Sequence, residues 1–538
     1  MSSEYGKYCQ NSIDWLLTRH VTGEKGDKIA IINEHGAITY SDLLTAVVNL
    51  PSYLPQFNNI PKGSVIGCFF EDSISSAACI LSLIYHGMVP CILNPHIANN
   101  QYQFYLDGID ARYVLTEPDF QNVISVYTDQ EKYTCMVLKD KIDHIIKNSV
   151  KSPASCSATV STESPAFCLY TSGTTGYPGA VLHRHMDIKI LNENYGQSIL
   201  GIKSSDCLFT TSKMFFAYGL NNLLFALYNG ATAILSPKNN SPETIWSVIH
   251  NYNPSIIFSV PSMYRKLLAH SQNSAVSSVK KFISAGETLP KNIFHEWEKK
   301  FGKKIIDGIG STETLSTFIS NNTGSEIPGC TGKPVEGFQC AIKDRNNVDV
   351  GINQTGILWV KGETCSDKYL NNDRASHERF KDGWFITNDL FYADSENNYF
   401  YQGRVDDLIY KNGIWIFPSR IEERIEHHND VYESILSGHL TDQGIILIAF
   451  LVVNNKPEKK DTFISDLNFI NENHPHYQKE EKIDVYCIVD SIPKTPTGKI
   501  RRNEFKKSPS FENATQCIEK FGFINSTAID TRKNIICA

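Results

Sequence analysis

The 538-residue sequence predicts an α/β protein: a large N-terminal domain of mostly parallel sheets plus a β-rich subdomain, then a small mobile α+β C-terminal domain. Three observations lead there. Short apolar runs alternate with helix-like stretches through the first four hundred residues, the rhythm of parallel strands covered by helices on both faces. Across residues 351–401 the texture changes to short strands separated by Gly, Asn and Asp turns. After Gly403-Arg404-Val405-Asp406-Asp407 a new, smaller α/β unit begins, which divides the chain into residues 1–404 and 405–538. Length alone allows two to four domains.

In order along the chain, residues 64–70 read as a buried strand, 73–86 as a helix and 89–93 as the next strand. The same unit returns over 206–210, 221–228 and 232–235, and again over 255–259, 262–269 and 281–284. In the C-terminal part a helix is predicted over 419–427, strands over 445–453 and 484–489, and a lysine-bearing loop over 493–500. The polar tail after Lys507 is expected to be loosely attached.

Composition narrows the function. With 41% hydrophobic and 20% charged residues the chain reads as globular, and a net charge of -7 argues against nucleic-acid binding through a basic surface. The basic clusters Lys456, Lys459, Lys460 and Arg501, Arg502, Lys506, Lys507 read as solvated faces. Fourteen cysteines are scattered without a CxxC pair, which points to reduced thiols and not to zinc or a disulfide framework. No apolar run approaches the length of a membrane span, and the first residues lack a signal-peptide pattern, so a cytoplasmic protein with no membrane partner is expected.

Four segments carry chemistry. An apolar strand at 166–170 runs into Thr171-Ser172-Gly173-Thr174-Thr175-Gly176, where small residues expose backbone N–H groups and several hydroxyls to phosphate oxygens. No Gly-Lys-Ser/Thr follows, so this is not the common P-loop. Asp307-Gly308-Ile309-Gly310-Ser311-Thr312-Glu313 offers glycines for close backbone approach and, at Glu313, a hard oxygen for Mg²⁺. Asp389 in Thr387-Asn388-Asp389, with Arg404, supplies a carboxylate and a guanidinium suited to two ribose hydroxyls. Lys494-Thr495-Pro496-Thr497-Gly498-Lys499 presents a lysine at the tip of a turn.

The order and spacing of these segments resemble the adenylate-forming superfamily from Gly26 to Lys499. Phe215-Phe216-Ala217-Tyr218-Gly219-Leu220, Ser284-Ala285-Gly286-Glu287 and Thr331-Gly332-Lys333-Pro334-Val335 resemble its benzoate–CoA ligase branch. The resemblance implies a two-step reaction. A carboxylate attacks the α-phosphorus of ATP to give an acyl-AMP, and a thiol then takes the acyl group. It implies ATP and Mg²⁺ as cofactors and CoA as co-substrate. Lys499, Glu313 and Thr312 would be catalytic, with Glu313 on Mg²⁺. Thr171 to Gly176 would cradle phosphate, Gly286, Glu287 and Asp307 would line the adenine pocket, and Asp389 and Arg404 would grip the ribose. Phe216, Tyr218, Gly219, Ala285 and Gly310 would surround the acid. Asp406 would be the hinge of the small domain, and Gly413 would line the thiol channel. No Asp stands in the 215–220 segment to pair with a substrate amine, so a small aromatic acid fits better than an amino acid.

The chain departs from the family pattern at Gly179, where relatives carry lysine, at Asn388, where they carry glycine, and at Tyr410. Restoring lysine at 179 is expected to speed adenylation. Three readings stay open at this point: an aryl–CoA ligase, an enzyme that loads an acyl carrier protein, and a degenerate ligase kept as a carrier-protein partner in a polyketide or nonribosomal pathway. A homodimer is an open assembly state.

Overall fold

A computed structural model describes residues 11–54, 56–129, 131–138, 142–148, 158–171, 178–236, 239–271, 276–322, 326–412, 414–441, 444–454, 460–475, 477–493, 502–506, 529–530 and 535–537. The chain forms two compact units, residues 1–340 with 359–386, and residues 341–358 with 387–538. The position expected as the division, 404/405, lies within the second unit. The β-rich piece forms one five-stranded sheet from strands Phe338–Lys343, Gly356–Gly362, Phe380–Lys381, Trp384–Ala393 and Tyr399–Arg404, and the last of these ends at Arg404.

Two sheets dominate the first unit. One has six strands in the order Thr134–Val137, Tyr113–Thr116, Val65–Phe69, Val89–Leu93, Pro165–Tyr170 and Ala180–Arg184. All its pairs are parallel except the last. The other has nine strands, with Ile29–Asn33, Cys207–Thr210, Thr232–Ile234, Ile256–Ser259, Lys281–Ser284 and Ile305–Gly310 as its parallel centre, one antiparallel strand (Gly36–Thr39) at one edge and two (Thr317–Ser320 and Lys333–Pro334) at the other. Strand Val89–Leu93 is buried at every position, the pattern of a central parallel strand covered on both faces. The helix Ile74–Tyr85 that precedes it starts at a reciprocal cap. Ser76 N–H donates to Ser73 Oγ (3.0 Å) and Ser73 N–H to Ser76 Oγ (2.8 Å). A core of Phe209, Trp246, Tyr264, Phe282, Phe294 and Trp297 packs the helices of the larger sheet against its strands.

The second unit carries a sheet ordered Val431–Thr441, Gly444–Val453, Val485–Ile488, Ile535–Cys537, Ile529–Asp530. The helix Pro418–Ile425 packs on it through Ile421 and Ile425. The strand Val431–Thr441 has no counterpart among the predicted elements. The chain end also differs from expectation, because Val485 pairs with Cys537 and Cys487 with Ile535. Among the described residues, no helix is long and apolar enough to cross a membrane.

Candidate active site

The phosphate-loop strand Pro165–Tyr170 is followed by an antiparallel partner, Ala180–Arg184, with Tyr170 opposite Ala180. Two hydrogen bonds close the root of the connection: Thr171 N–H donates to Gly179 O (2.9 Å), and Gly179 N–H donates to Thr171 Oγ1 (3.0 Å). Thr171 is therefore structural at the root of the loop as well as a candidate ligand. Ser172, Gly173, Thr174, Thr175 and Gly176 lie outside the described residues. At Gly179 a Cβ would stand 2.4 Å from Cδ1 and 2.8 Å from Cγ and Cε1 of Tyr369. The lysine expected there has no room unless that buried ring moves.

Glu313 sits on a single 3-10 turn, Thr312–Thr314, at the end of strand Ile305–Gly310. The turn is fixed from three sides. Ser311 N–H donates to Thr314 Oγ1 (3.3 Å), Thr364 Oγ1 donates to Thr314 O (2.7 Å), and Asn221 Nδ2 donates to Leu315 O (2.7 Å). Leu315 is held at φ +57°, backbone strain of the kind that persists where surroundings over-determine it. Glu313 is buried, 7% exposed as a whole residue, and its Oε1 accepts the Tyr369 hydroxyl at 2.6 Å. Among the described residues no group of three or more His, Cys, Asp or Glu could hold a metal. A lone buried carboxylate with a second oxygen to offer nevertheless fits Mg²⁺, which binds through one or two carboxylates together with substrate phosphates.

The residues expected to line the acid and adenine pockets also belong to the first unit. Phe216 and Tyr218 are half-buried at the start of the helix Ala217–Asn229, and the Phe215 and Phe216 rings lie 4.5 Å apart. The Tyr218 hydroxyl donates to Ile283 O (3.1 Å) and Ser259 O (3.3 Å), so its ring stands over the ends of two parallel strands. Gly219 admits no side chain, since a Cβ would lie 2.0 Å from Lys213 O. Gly310 is similar, with Ser316 O at 2.7 Å. Ala285 is buried, and Gly286 after it takes φ +91°, which favours glycine. Glu287 directs its carboxylate to the first turn of the helix Pro261–Ala269, accepting Ser262 N–H and Ser262 Oγ–H, each at 3.0 Å. Burial pushes the Asp307 carboxyl up to about 8. Its Oδ1 has no hydrogen-bond partner among the described residues, so it suits a donor such as an exocyclic amine.

Asp72, which nothing in the sequence marks, supports this region. Both its oxygens accept Met214 N–H (3.1 and 3.2 Å), fixing the segment that leads to Phe216, and burial raises its carboxyl to about 7. Its Glu-Asp-Ser context is that of an ordinary helix start, so no local signal distinguishes it.

In the second unit, Asp389 and Arg404 face each other across neighbouring strands, with Arg404 Nε 3.5 Å from Asp389 Oδ1. Asp389 draws the guanidinium pKa upward. Asn388 takes φ +59°, the left-handed region in which asparagine is the best substitute for glycine. That departure from the family pattern therefore preserves backbone shape. Asp406 is exposed in the turn Val405–Asp407, and Tyr410 is 50% exposed. Lys499 and Gly413 lie outside the described residues. Arg502, read as part of a solvated cluster, is instead enclosed, and its guanidinium grips both oxygens of Glu422 at 2.7 and 2.6 Å.

The family model of AMP-binding enzymes matches residues 17–370. Benzoate–CoA ligase of Thauera aromatica is 29% identical over 517 residues, 93% of this chain and 96% of that protein. Anthranilate–CoA ligase of Pseudomonas aeruginosa is 30% identical over 70% of this chain and 74% of its own length. Among solved structures, a benzoate CoA ligase from Burkholderia xenovorans superposes with a TM-score of 0.82 at 28% identity, covering 92% of this chain and 99% of that one. An anthranilate CoA ligase in complex with anthranoyl-AMP gives 0.86 at 25% identity, over 94% and 98%. With well over half of its length matched and the same fold throughout, this chain belongs to the AMP-binding enzyme family, the adenylate-forming superfamily.

Proposed function

We propose that the chain joins a small aromatic carboxylic acid to CoA, at the expense of ATP, through an acyl-AMP. The buried Glu313 carboxylate, held on a rigid turn beside the root of the phosphate loop, is the observation that carries this reading. The acid's carboxylate oxygen forms a bond to the α-phosphorus as the bond to the bridging β-oxygen breaks, releasing pyrophosphate. The thiol of CoA then forms a C–S bond at the acyl carbon as the C–O bond to AMP breaks. Mg²⁺, when bound, neutralises charge on the phosphates. The protein's share is positioning and electrostatics. Thr171 and the residues to Gly176 hold phosphate oxygens, Asp307 accepts from the adenine amine, and Asp389 with Arg404 holds the ribose. Phe216 and Tyr218 flank a flat acid, Thr312 supports Glu313, and Lys499 balances charge on the α-phosphate in the first step. Residues 405–538 act as a lid that swings about Asp406 between the two steps and brings Gly413 to the thiol path.

The test is pyrophosphate release with ATP, Mg²⁺ and a panel of benzoate-, cinnamate- and anthranilate-like acids, with CoA or a carrier protein as acceptor. Acid-dependent release that Lys499→Ala abolishes is the expected result. No release with any acid would overturn the reading.

A further inference from the structure

Tyr369 belongs to none of the four motifs, yet it touches both halves of the phosphate site. Its ring lies against Gly179 at the root of the loop, where a Cβ would come within 2.4 Å of it. Its hydroxyl donates to Glu313 Oε1 at 2.6 Å. Tyr369 is buried, 7% exposed as a whole residue, and its ring is backed by Phe380, whose centroid lies 5.2 Å away. Its backbone is pinned as well. Tyr369 N–H donates to Ser376 Oγ (2.9 Å), and the next residue, Leu370, donates its N–H to Ala180 O (2.8 Å). Three residues earlier, Ser366 N–H donates to Glu313 O (2.8 Å). The stretch 364–370 therefore staples the Glu313 turn to the strand that leaves the phosphate loop.

We infer that Tyr369 is a positioning residue for Mg²⁺-bound ATP, its phenol fixing the Glu313 carboxylate relative to the root of the phosphate loop. This rests on the ATP-using reading above. The glycine at 179 then has a second meaning besides a missing charge, because it is what admits the ring. Mg²⁺ demands near-ideal octahedral geometry, so a carboxylate whose rotamer is locked before the ion arrives binds it with less ordering cost.

Tyr369→Phe deletes the hydroxyl and keeps the ring. ATP binding to the full chain is measured by calorimetry, once with excess Mg²⁺ and once with EDTA. The expected result is a roughly tenfold loss of affinity in Mg²⁺, the scale of one hydrogen bond to a charged group, with affinity in EDTA unchanged. Gly179→Ala attacks the same contact from the other side and should reproduce the metal-selective loss. Wild-type affinity of Tyr369→Phe in Mg²⁺ would overturn the inference. An equal loss in both buffers would overturn it too, leaving Tyr369 a packing residue. A wild-type chain that binds ATP in neither buffer would sink the ATP-using reading itself, so the two failures are distinguishable.

Discussion

Replacing Arg502 by methionine tests how the C-terminal unit is held together. Arg502 Nη1 and Nη2 donate to Glu422 Oε1 and Oε2 at 2.7 and 2.6 Å, Nη1 also reaches Leu436 O at 3.2 Å, and Nε lies 3.3 Å from Asp407 Oδ2. The Arg502 side chain is 14% exposed and that of Glu422 9%. Methionine fills much of the same volume but leaves both carboxylates without their cation. Removing one partner of such an enclosed pair costs about 3–5 kcal/mol. At about 1.4 kcal/mol per factor of ten, local opening becomes roughly a hundredfold to several thousandfold more frequent. Hydrogen exchange with mass spectrometry on the full chain reads this directly. The peptides to follow cover Val431–Thr441 and Gly444–Val453, whose residues Ile435, Ile446, Ile448 and Phe450 share a core with Phe505. The double variant Arg502→Met with Glu422→Leu should recover much of the protection, because an apolar pair needs no desolvation offset. High salt should leave the difference largely intact, since screening acts weakly on enclosed pairs. Exchange of Arg502→Met within about threefold of wild type would refute the reasoning, because it would mean that desolvation had cancelled the ion pair.

Three further outcomes are expected. Gly179→Lys should slow acid-dependent pyrophosphate release and destabilise the chain by about 1–3 kcal/mol in thermal melts, the usual cost of overpacking, because Tyr369 Cδ1 stands 2.4 Å from the new Cβ; a faster enzyme would show that the ring yields. Burial pushes the Asp307 carboxyl up to about 8 from an ordinary value of about 4, so the folded chain holds a proton that the unfolded chain has released, and stability falls as pH rises from about 4 to about 8. Asp307→Asn should therefore stabilise the ligand-free chain more at pH 8 than at pH 5 in urea unfolding, and equal gains at both would refute this. With Asn388 at φ +59°, Asn388→Val should cost about 1–2 kcal/mol in a denaturant midpoint while Asn388→Gly costs little; equal effects would show that the backbone relaxes.

What the sequence by itself determined is what neighbouring residues encode. Strand Val89–Leu93 and strand Lys281–Ser284 lie where the apolar runs place them, because burial imprints a short-range pattern on the chain. The strand before Thr171 and the turn that carries Glu313 were legible for the same reason, since apolar runs, small residues and glycines announce themselves locally. Sheet order decided the rest. Tyr113–Thr116 lies on the far side of Val65–Phe69 from Val89–Leu93, and no local pattern states that. Tyr369 meets Glu313 from 56 positions away, Arg502 meets Glu422 from 80, and Asp72 meets Met214 from 142. In sequence Arg502 reads as part of a solvated cluster, and Tyr369 and Asp72 belong to no motif. Only the tertiary structure gives them these partners, because a hydrogen bond or ion pair depends on which atoms the fold brings within reach, and spacing along the chain carries no record of that.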